Sequence, residues 1–248
     1  MKIGIIGTGA FGSILTEKLS KEGHQVKVTN TRNIQELTKI ATSLGATPAT
    51  LQDVVKDVDV IIFAIPFKMY KHLPKNLLQD VSKDVVILDT SNYYPQRDGE
   101  LADLEGRTES EYISETLGRP VVKVFSNILE NTLKYKGKAA SEEGRLALPI
   151  AGDNEEHKEI AAELVNQIGF DAVDGGSLAQ SWRQEPGTPA YCTELSAIEL
   201  KQALGAAEKG KAPAIRDYLM KKFLSSKTML SDEAFVALNR SAHSGHMK

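Results

Sequence analysis

The chain has 248 residues, enough for one large domain or two modest ones with a sizeable core. Its 30 basic residues against 33 acidic ones leave a net charge of −3, which argues against nucleic acid or an anionic membrane surface as partner. Cys192 is the only cysteine, which excludes a disulfide within the chain and fits a reducing cytosol. No apolar run reaches the roughly 18 residues of a membrane span, and the first residues read as a strand rather than a signal peptide. The expectation is a soluble, cytoplasmic protein without internal repeats or low-complexity tracts.

Met1 to Ile6 is a short apolar run that predicts a buried strand. Gly7-Thr8-Gly9-Ala10-Phe11-Gly12 follows without a spacer. A helical pattern of Phe11, Ile14, Leu15 and Leu19 comes next, with Gly23 at the place of a left-handed cap. A second strand, Gln25 to Thr29, ends about eighteen residues past Gly12. Strand, glycine-rich turn, helix and strand in this order predict a dinucleotide site. Gly7 permits the tight turn, Gly9 lets the backbone approach a pyrophosphate, and Gly12 lets the helix pack against the sheet. The helix aims its unpaired N–H groups at the phosphates.

The residues after the second strand bear on which dinucleotide binds. Thr29-Asn30-Thr31-Arg32 contains no carboxylate to hold the adenosine ribose hydroxyls. A hydroxyl followed by a guanidinium suits a 2′-phosphate, so NADP(H) is expected.

The α/β rhythm continues. Asn33 caps a helix whose apolar face is Ile34, Leu37, Ile40, Ala41 and Leu44, closed by Gly45. Thr50 to Asp53 resembles a capping box opening a short helix. Val58 to Ile65 predicts a central parallel strand that stops at Ala64-Ile65-Pro66, on the edge where such sheets bind ligands. Val85 to Asp89 is a further strand running into Thr90-Ser91-Asn92, small polar groups placed to touch nicotinamide ribose or a second substrate. Residues 96 to 108 read as a loop over the crevice, followed by a helix from Ser110 to Leu117. Pro120 to Phe125 gives another strand, ending in Ser126-Asn127-Ile128.

Gly7 to Gly12, Thr31-Arg32, Ala64 to Pro66, Asp89 to Asn92, Lys123 to Ile128 and Asp174-Gly175-Gly176-Ser177-Leu178 stand in the order seen in 8-hydroxy-5-deazaflavin:NADPH oxidoreductases. The chain resembles that family over about residues 1 to 205, and through it the cytosolic NADPH-oxidising domain of six-transmembrane metalloreductases. The resemblance implies NADP(H) held by Thr8, Gly9, Ala10 and Phe11, with Thr31 and Arg32 on the 2′-phosphate. Ala64, Ile65 and Pro66 would line the nicotinamide side. Two positions depart from the family pattern. Glu36 stands where some members have a basic residue, and Ser126 where archaeal members place a histidine beside the deazaflavin.

Beyond Tyr135 the pattern predicts a strand over Leu146–Ala151 and a capping box at Asp153-Asn154-Glu155-Glu156. The helix that follows carries the stripe Ile160, Leu164, Val165 and Ile168, and a strand over Phe170–Asp174 comes next. An irregular stretch around Trp182 and helices near 193–208, 214–223 and 231–240 complete the chain. Trp182 could stack on a flat ring, although core or interdomain packing is its commoner use. The histidines form no metal cluster, and His243 and His246 lie in a terminal tail.

These observations predict an α/β protein of Rossmann type, with a doubly wound, mostly parallel sheet. Residues 1–125 would be the NADP-binding domain, and residues 126–248 a smaller α/β-to-helical domain closing the crevice. The cofactor-binding candidates are Gly7 to Gly12, Asn30, Thr31, Arg32, Ala64 to Pro66, Thr90 and Asn92. Ser126, Asn127 and Ile128 are candidates for the acceptor site, with a deazaflavin coenzyme or FMN as co-substrate. Lys68 and Lys123 are the nearest candidates for a proton shuttle, neither in a diagnostic context. A small-molecule redox acceptor is the expected partner, and a homodimer is compatible with this reading. Two other functions remain open: an NADP-dependent reductase of a small imine or carbonyl, which needs a proton donor, and a non-catalytic NADP-binding sensor.

Overall fold

The computed structural model describes residues 1–104, 106–140, 142–225 and 230–243. The first half builds β1 (Lys2–Ile6), α1 (Ala10–Lys21), β2 (Gln25–Thr29), α2 (Ile34–Ser43), β3 (Thr47–Pro48), β4 (Val60–Phe63), β5 (Val86–Asp89), α3 (Pro95–Asp98), α4 (Glu109–Leu117) and β6 (Val122–Lys123). The strands form one parallel sheet in the order β3-β2-β1-β4-β5-β6. Strand order reverses between β1 and β4, and the carboxyl ends on either side of that point frame a crevice. This is the doubly wound Rossmann arrangement.

Burial on both faces follows from the pleat, which sends alternate side chains to opposite sides. Ile3, Ile5, Val60, Ile62, Val86 and Leu88 pack on one face with Leu15 and Leu19 of α1 and Leu37 of α2. Ile6, Ile61, Phe63 and Ile87 pack on the other with Phe67, Tyr70 and Ile113. The inner strands β1, β4 and β5 are therefore largely apolar in sequence, as burial on both faces requires.

The second half adds α5 (Glu130–Tyr135), β7 (Ala147–Ile150), α6 (Glu155–Gln167), β8 (Asp171–Asp174), α7 (Ala197–Ala206), α8 (Ala212–Ser225) and α9 (Asp232–Ser241). β7 and β8 pair in parallel across α6. Lys123 and Ala151 exchange two antiparallel backbone hydrogen bonds, at 2.8 and 3.0 Å, joining this pair to the main sheet. The core runs on from Val124 and Phe125 into Leu133, Leu148, Ile150 and Leu164.

Several elements differ from expectation for identifiable reasons. Thr50 to Asp53 makes half of the expected capping box, with Asp53 N donating to Thr50 Oγ1 at 3.1 Å and Thr50 Oγ1 donating to the Asp53 carboxylate at 2.7 Å, and only turns follow. β-branched Val54 and Val55 are drawn into the core, and Asp57 is left-handed at φ 52°. The edge strand β3 escapes the sequence pattern because it is two residues long and ends in proline. The expected strand over Pro120–Phe125 shrinks to Val122–Lys123, since Phe125 takes φ 61°. The true cap of α6 is Asn154, accepting from His157 N at 3.0 Å, while Asp153 Oδ1 accepts from Leu178 N at 2.8 Å. The stripe of α6 uses Ala161 with Leu164 and Val165, and Ile160 is only partly buried. α7 begins at Ala197 rather than 193 because Cys192 and Glu194 are left-handed, at φ 52° and 50°. Residues 96–108 are not a plain loop. They hold α3 and a 3-10 turn at Ala102–Leu104, fixed by buried Asp98, which accepts from Tyr94 N at 3.0 Å.

Candidate active site

The glycine turn shows three different demands at three positions. Gly7 has φ +113°, and a Cβ there would lie 2.2 Å from Ala64 O. A Cβ at Gly12 would lie 2.1 Å from Gly7 O, so that glycine sets how closely α1 enters the turn. Gly9 is different: a Cβ there would meet nothing within 4 Å. Its side faces open crevice, which is where a pyrophosphate would need room. α1 starts at this point with no side-chain cap and no acidic residue in its first turn. Its first N–H groups and its positive dipole end are therefore left for an anion.

Beside the turn lies a cavity of about 480 Å³ whose lining contains no carboxylate. Thr8, Asn30, Thr31 and Arg32 form its polar rim, and Leu51, Met69, His72 and Leu73 close its far side. Asn30 organises the rim: its Nδ2 donates to Thr8 Oγ1, and its Oδ1 accepts from Arg32 N at 2.8 Å. Among the described residues the Arg32 guanidinium makes no hydrogen bond or ion pair. A free guanidinium beside an acid-free apolar slot fits a phosphorylated adenosine. The four residues of the far side carry no motif, and sequence reasoning missed them.

Ala64, Ile65 and Pro66 separate this cavity from a second one of about 520 Å³, and line both. Thr90, Asn92, Ser126 and Ile128 line the second half, together with Gly9 to Gly12. Thr90 Oγ1 is used internally, donating to Phe63 O at 3.0 Å. Asn92 Nδ2 donates to Ser126 O at 2.7 Å, while Asn92 Oδ1 and Ser126 Oγ are buried without a partner among the described residues. Such orphans at a crevice wall fit a polar ligand group such as a carboxamide.

Asn127 does not line this crevice. Its side chain turns inward, where Nδ2 donates to Ala190 O at 3.1 Å, and its carbonyl accepts from Cys192 N at 3.0 Å. It therefore brackets residues 190–192 and so positions Tyr191, a role its place in the sequence could not reveal. The bracketed segment contributes Tyr191 and Cys192 to the crevice, opposite Tyr94 and Arg97. Tyr94 Oη donates to Tyr191 Oη at 2.8 Å. Burial pushes both phenols well above their ordinary range, and the Cys192 thiol up to about 12. All three groups stay protonated at neutral pH. The Arg97 guanidinium lies 5.5 Å from the Tyr94 ring centroid and is held by Asp98.

Lys68 and Lys123 are outside this crevice. Lys68 Nζ donates to Arg97 O at 3.1 Å on the surface. Lys123 is fully buried behind the wall, with Nζ on Ser91 O at 3.0 Å and Glu109 Oε2 at 3.3 Å. Burial pushes the Glu109 and Glu185 carboxyls up, with Lys123 pulling against it. Burial also works against the Lys123 ammonium, but Glu109, Asp89 and Glu185 outweigh it and hold the charge. Asp89 beside it accepts from Tyr70 Oη, Ser91 N, Ser91 Oγ and Ser110 Oγ. Trp182 stacks under Arg183, 4.5 Å from ring centroid to guanidinium, away from the crevice. His246 lies outside the described residues, among which no group of metal-binding side chains occurs.

The sheet order and the two-chambered crevice at its switch point define a Rossmann-type dinucleotide-binding protein. Residues 2–93 match the family described as NADP oxidoreductase, coenzyme F420-dependent, so this half carries the domain of NADP-dependent oxidoreductases. The chain belongs to the family of the Escherichia coli (strain K12) protein YjhV, 39% identical over 98 residues that cover 40% of this chain and 72% of the relative. It is also similar to 3-sulfolactaldehyde reductase of the same organism, 27% identical over 176 residues covering 67% of this chain and 54% of the reductase. The chain thus spans about half of that enzyme's length. The crystal structure of a hypothetical protein from Sinorhizobium meliloti superposes with a TM-score of 0.65 at 28% identity, covering 79% of this chain and 95% of that one.

Proposed function

We propose that the protein transfers a hydride between NADP(H) and a small redox acceptor of deazaflavin or flavin type. The observation that carries this is the divided crevice. Its acid-free half with Arg32 suits the phosphorylated adenosine, and its other half suits a nicotinamide with a second ring beside it. The description of the family matched by residues 2–93 supports a deazaflavin as that second ring. Nicotinamide supplies the hydride chemistry, and the chain's share is to bind, orient and exclude water. Residues 126–248 act as the smaller unit covering the acceptor, through Ser126, Ile128 and Tyr191. The protein works in the cytoplasm on a diffusible acceptor, as a monomer or homodimer. Among the described residues no helix is long and apolar enough to cross a membrane.

A second reading, reduction of a small imine or carbonyl, gains from the Tyr94–Tyr191 hydroxyl pair, since that chemistry needs a proton donor. The likeness to a reductase named for an aldehyde points the same way. Incubation with NADPH and a panel of a deazaflavin, FMN, riboflavin, ferric chelates, small imines and aldehydes separates the readings. Turnover confined to the ring acceptors supports the first, and turnover confined to imines or aldehydes the second. NADPH binding with no turnover on any acceptor speaks for a sensor and against both.

A further inference from the structure

The acceptor half contains two phenol hydroxyls within hydrogen-bond distance of each other, contributed by residues 97 positions apart. Each is held from behind. Tyr94 caps the start of α3, where its N–H donates to buried Asp98. Tyr191 sits between the two residues that Asn127 ties down. Arg97, Glu109 and the Cys192 thiol act on the pair, and the Glu130 and Asp232 carboxylates line the same crevice. With Tyr94 donating to it, Tyr191 Oη keeps a proton to give, either to the adjacent Cys192 thiol or to a ligand in the crevice that both residues line.

We infer that Tyr191, backed by Tyr94, is the proton donor of the acceptor half, and that the crevice takes acceptors whose reduction leaves negative charge on oxygen or nitrogen. This rests on the hydride-transfer reading above. The balance is simple. The acceptor gains a hydride at carbon and one proton at its heteroatom. That proton leaves Tyr191 Oη as the new O–H or N–H bond forms. Tyr94 Oη returns a proton to Tyr191 and is reprotonated from solvent, while the Arg97 guanidinium over its ring steadies the transient Tyr94 phenolate. A carbonyl, a neutral imine and a deazaflavin ring share this requirement. A quaternary iminium does not, because hydride addition alone makes it neutral.

That contrast supplies the test. Wild type, Tyr191→Phe and Tyr94→Phe are assayed with a deazaflavin, an aldehyde, a neutral imine and a quaternary iminium, and their NADPH dissociation constants are titrated in parallel. General acid catalysis contributes about 10²–10⁴-fold, so Tyr191→Phe should lower turnover of the proton-requiring acceptors at least about 100-fold. Its turnover ratio of proton-requiring to iminium acceptors should fall by about the same factor, with NADPH affinity within about twofold of wild type. Tyr94→Phe should lose less and shift the pH profile of turnover. Equal losses on all acceptors, or full turnover by Tyr191→Phe, would overturn the proton-donor role while leaving hydride transfer standing. No turnover by the wild type on any acceptor would overturn hydride transfer and the donor role together.

Discussion

Gly9 and Gly12 stand three residues apart in one turn, yet substitution at each should fail in a different way. A Cβ at Gly9 meets no atom within 4 Å, so Gly9→Val should fold with a melting temperature near wild type and lose both NADPH and NADH binding. Gly12→Ala forces a Cβ to within 2.1 Å of a backbone oxygen. It should cost about 1–3 kcal/mol, at roughly 2–4 °C of melting temperature per kcal/mol. Calorimetry and cofactor titration on both variants check this, and normal NADPH binding by Gly9→Val would contradict the phosphate placement. At the same scale, NADP(H) should bind at least about tenfold tighter than NAD(H), about 1.4 kcal/mol. Arg32→Ala should remove most of that gap and leave NAD(H) affinity unchanged, because the guanidinium has no other partner among the described residues. Equal wild-type affinities would remove the assignment to NADP.

At the level of elements, β5, α4 and β6 meet in a buried charge cluster around Lys123. Glu109 and Glu185 both have raised folded pKa values, caused first by burial, so the folded state keeps a proton that the unfolded chain releases. The stability from that proton is complete below the ordinary carboxylate range and is lost as pH rises through the raised folded value. Urea unfolding should therefore show stability falling between about pH 5 and pH 8, by up to about 1.4 kcal/mol per pH unit for one proton. Glu109→Gln should flatten that slope, and an unchanged slope would mean that the cluster holds no extra proton. None of this cluster was legible in the chain, because Asp89, Glu109, Lys123 and Glu185 belong to four separate segments. The elements themselves were largely legible. Apolar runs marked β1, β4 and β5, the place after the glycine turn and helix marked β2, and Asn33 marked the start of α2 through its bond from Glu36 N at 2.9 Å. The two-residue β3 was not, and the strand expected over 120–125 was legible in place but not in extent. Tertiary pairing rather than local pattern sets the length of β3 and β6.

Across the whole molecule the two halves of the crevice were legible to different degrees. The dinucleotide half draws on contiguous residues, 7–9 and 30–32, whose spacing carries its geometry. The acceptor half is assembled from residues 9–12, 64–66, 90–92, 94, 97, 125–126, 128–131 and 191–192, with Asp232 at the start of α9. Only packing brings Tyr94 to Tyr191, and only packing turns Asn127 away from the site. The most direct test of the central claim is single turnover with NADPH deuterated separately at each of the two C4 positions, using an acceptor that the protein reduces. A fixed crevice exposes one face of the ring, so one label should appear on the acceptor and the other should remain on NADP. Label from both positions, or from neither, would contradict direct hydride transfer in this crevice.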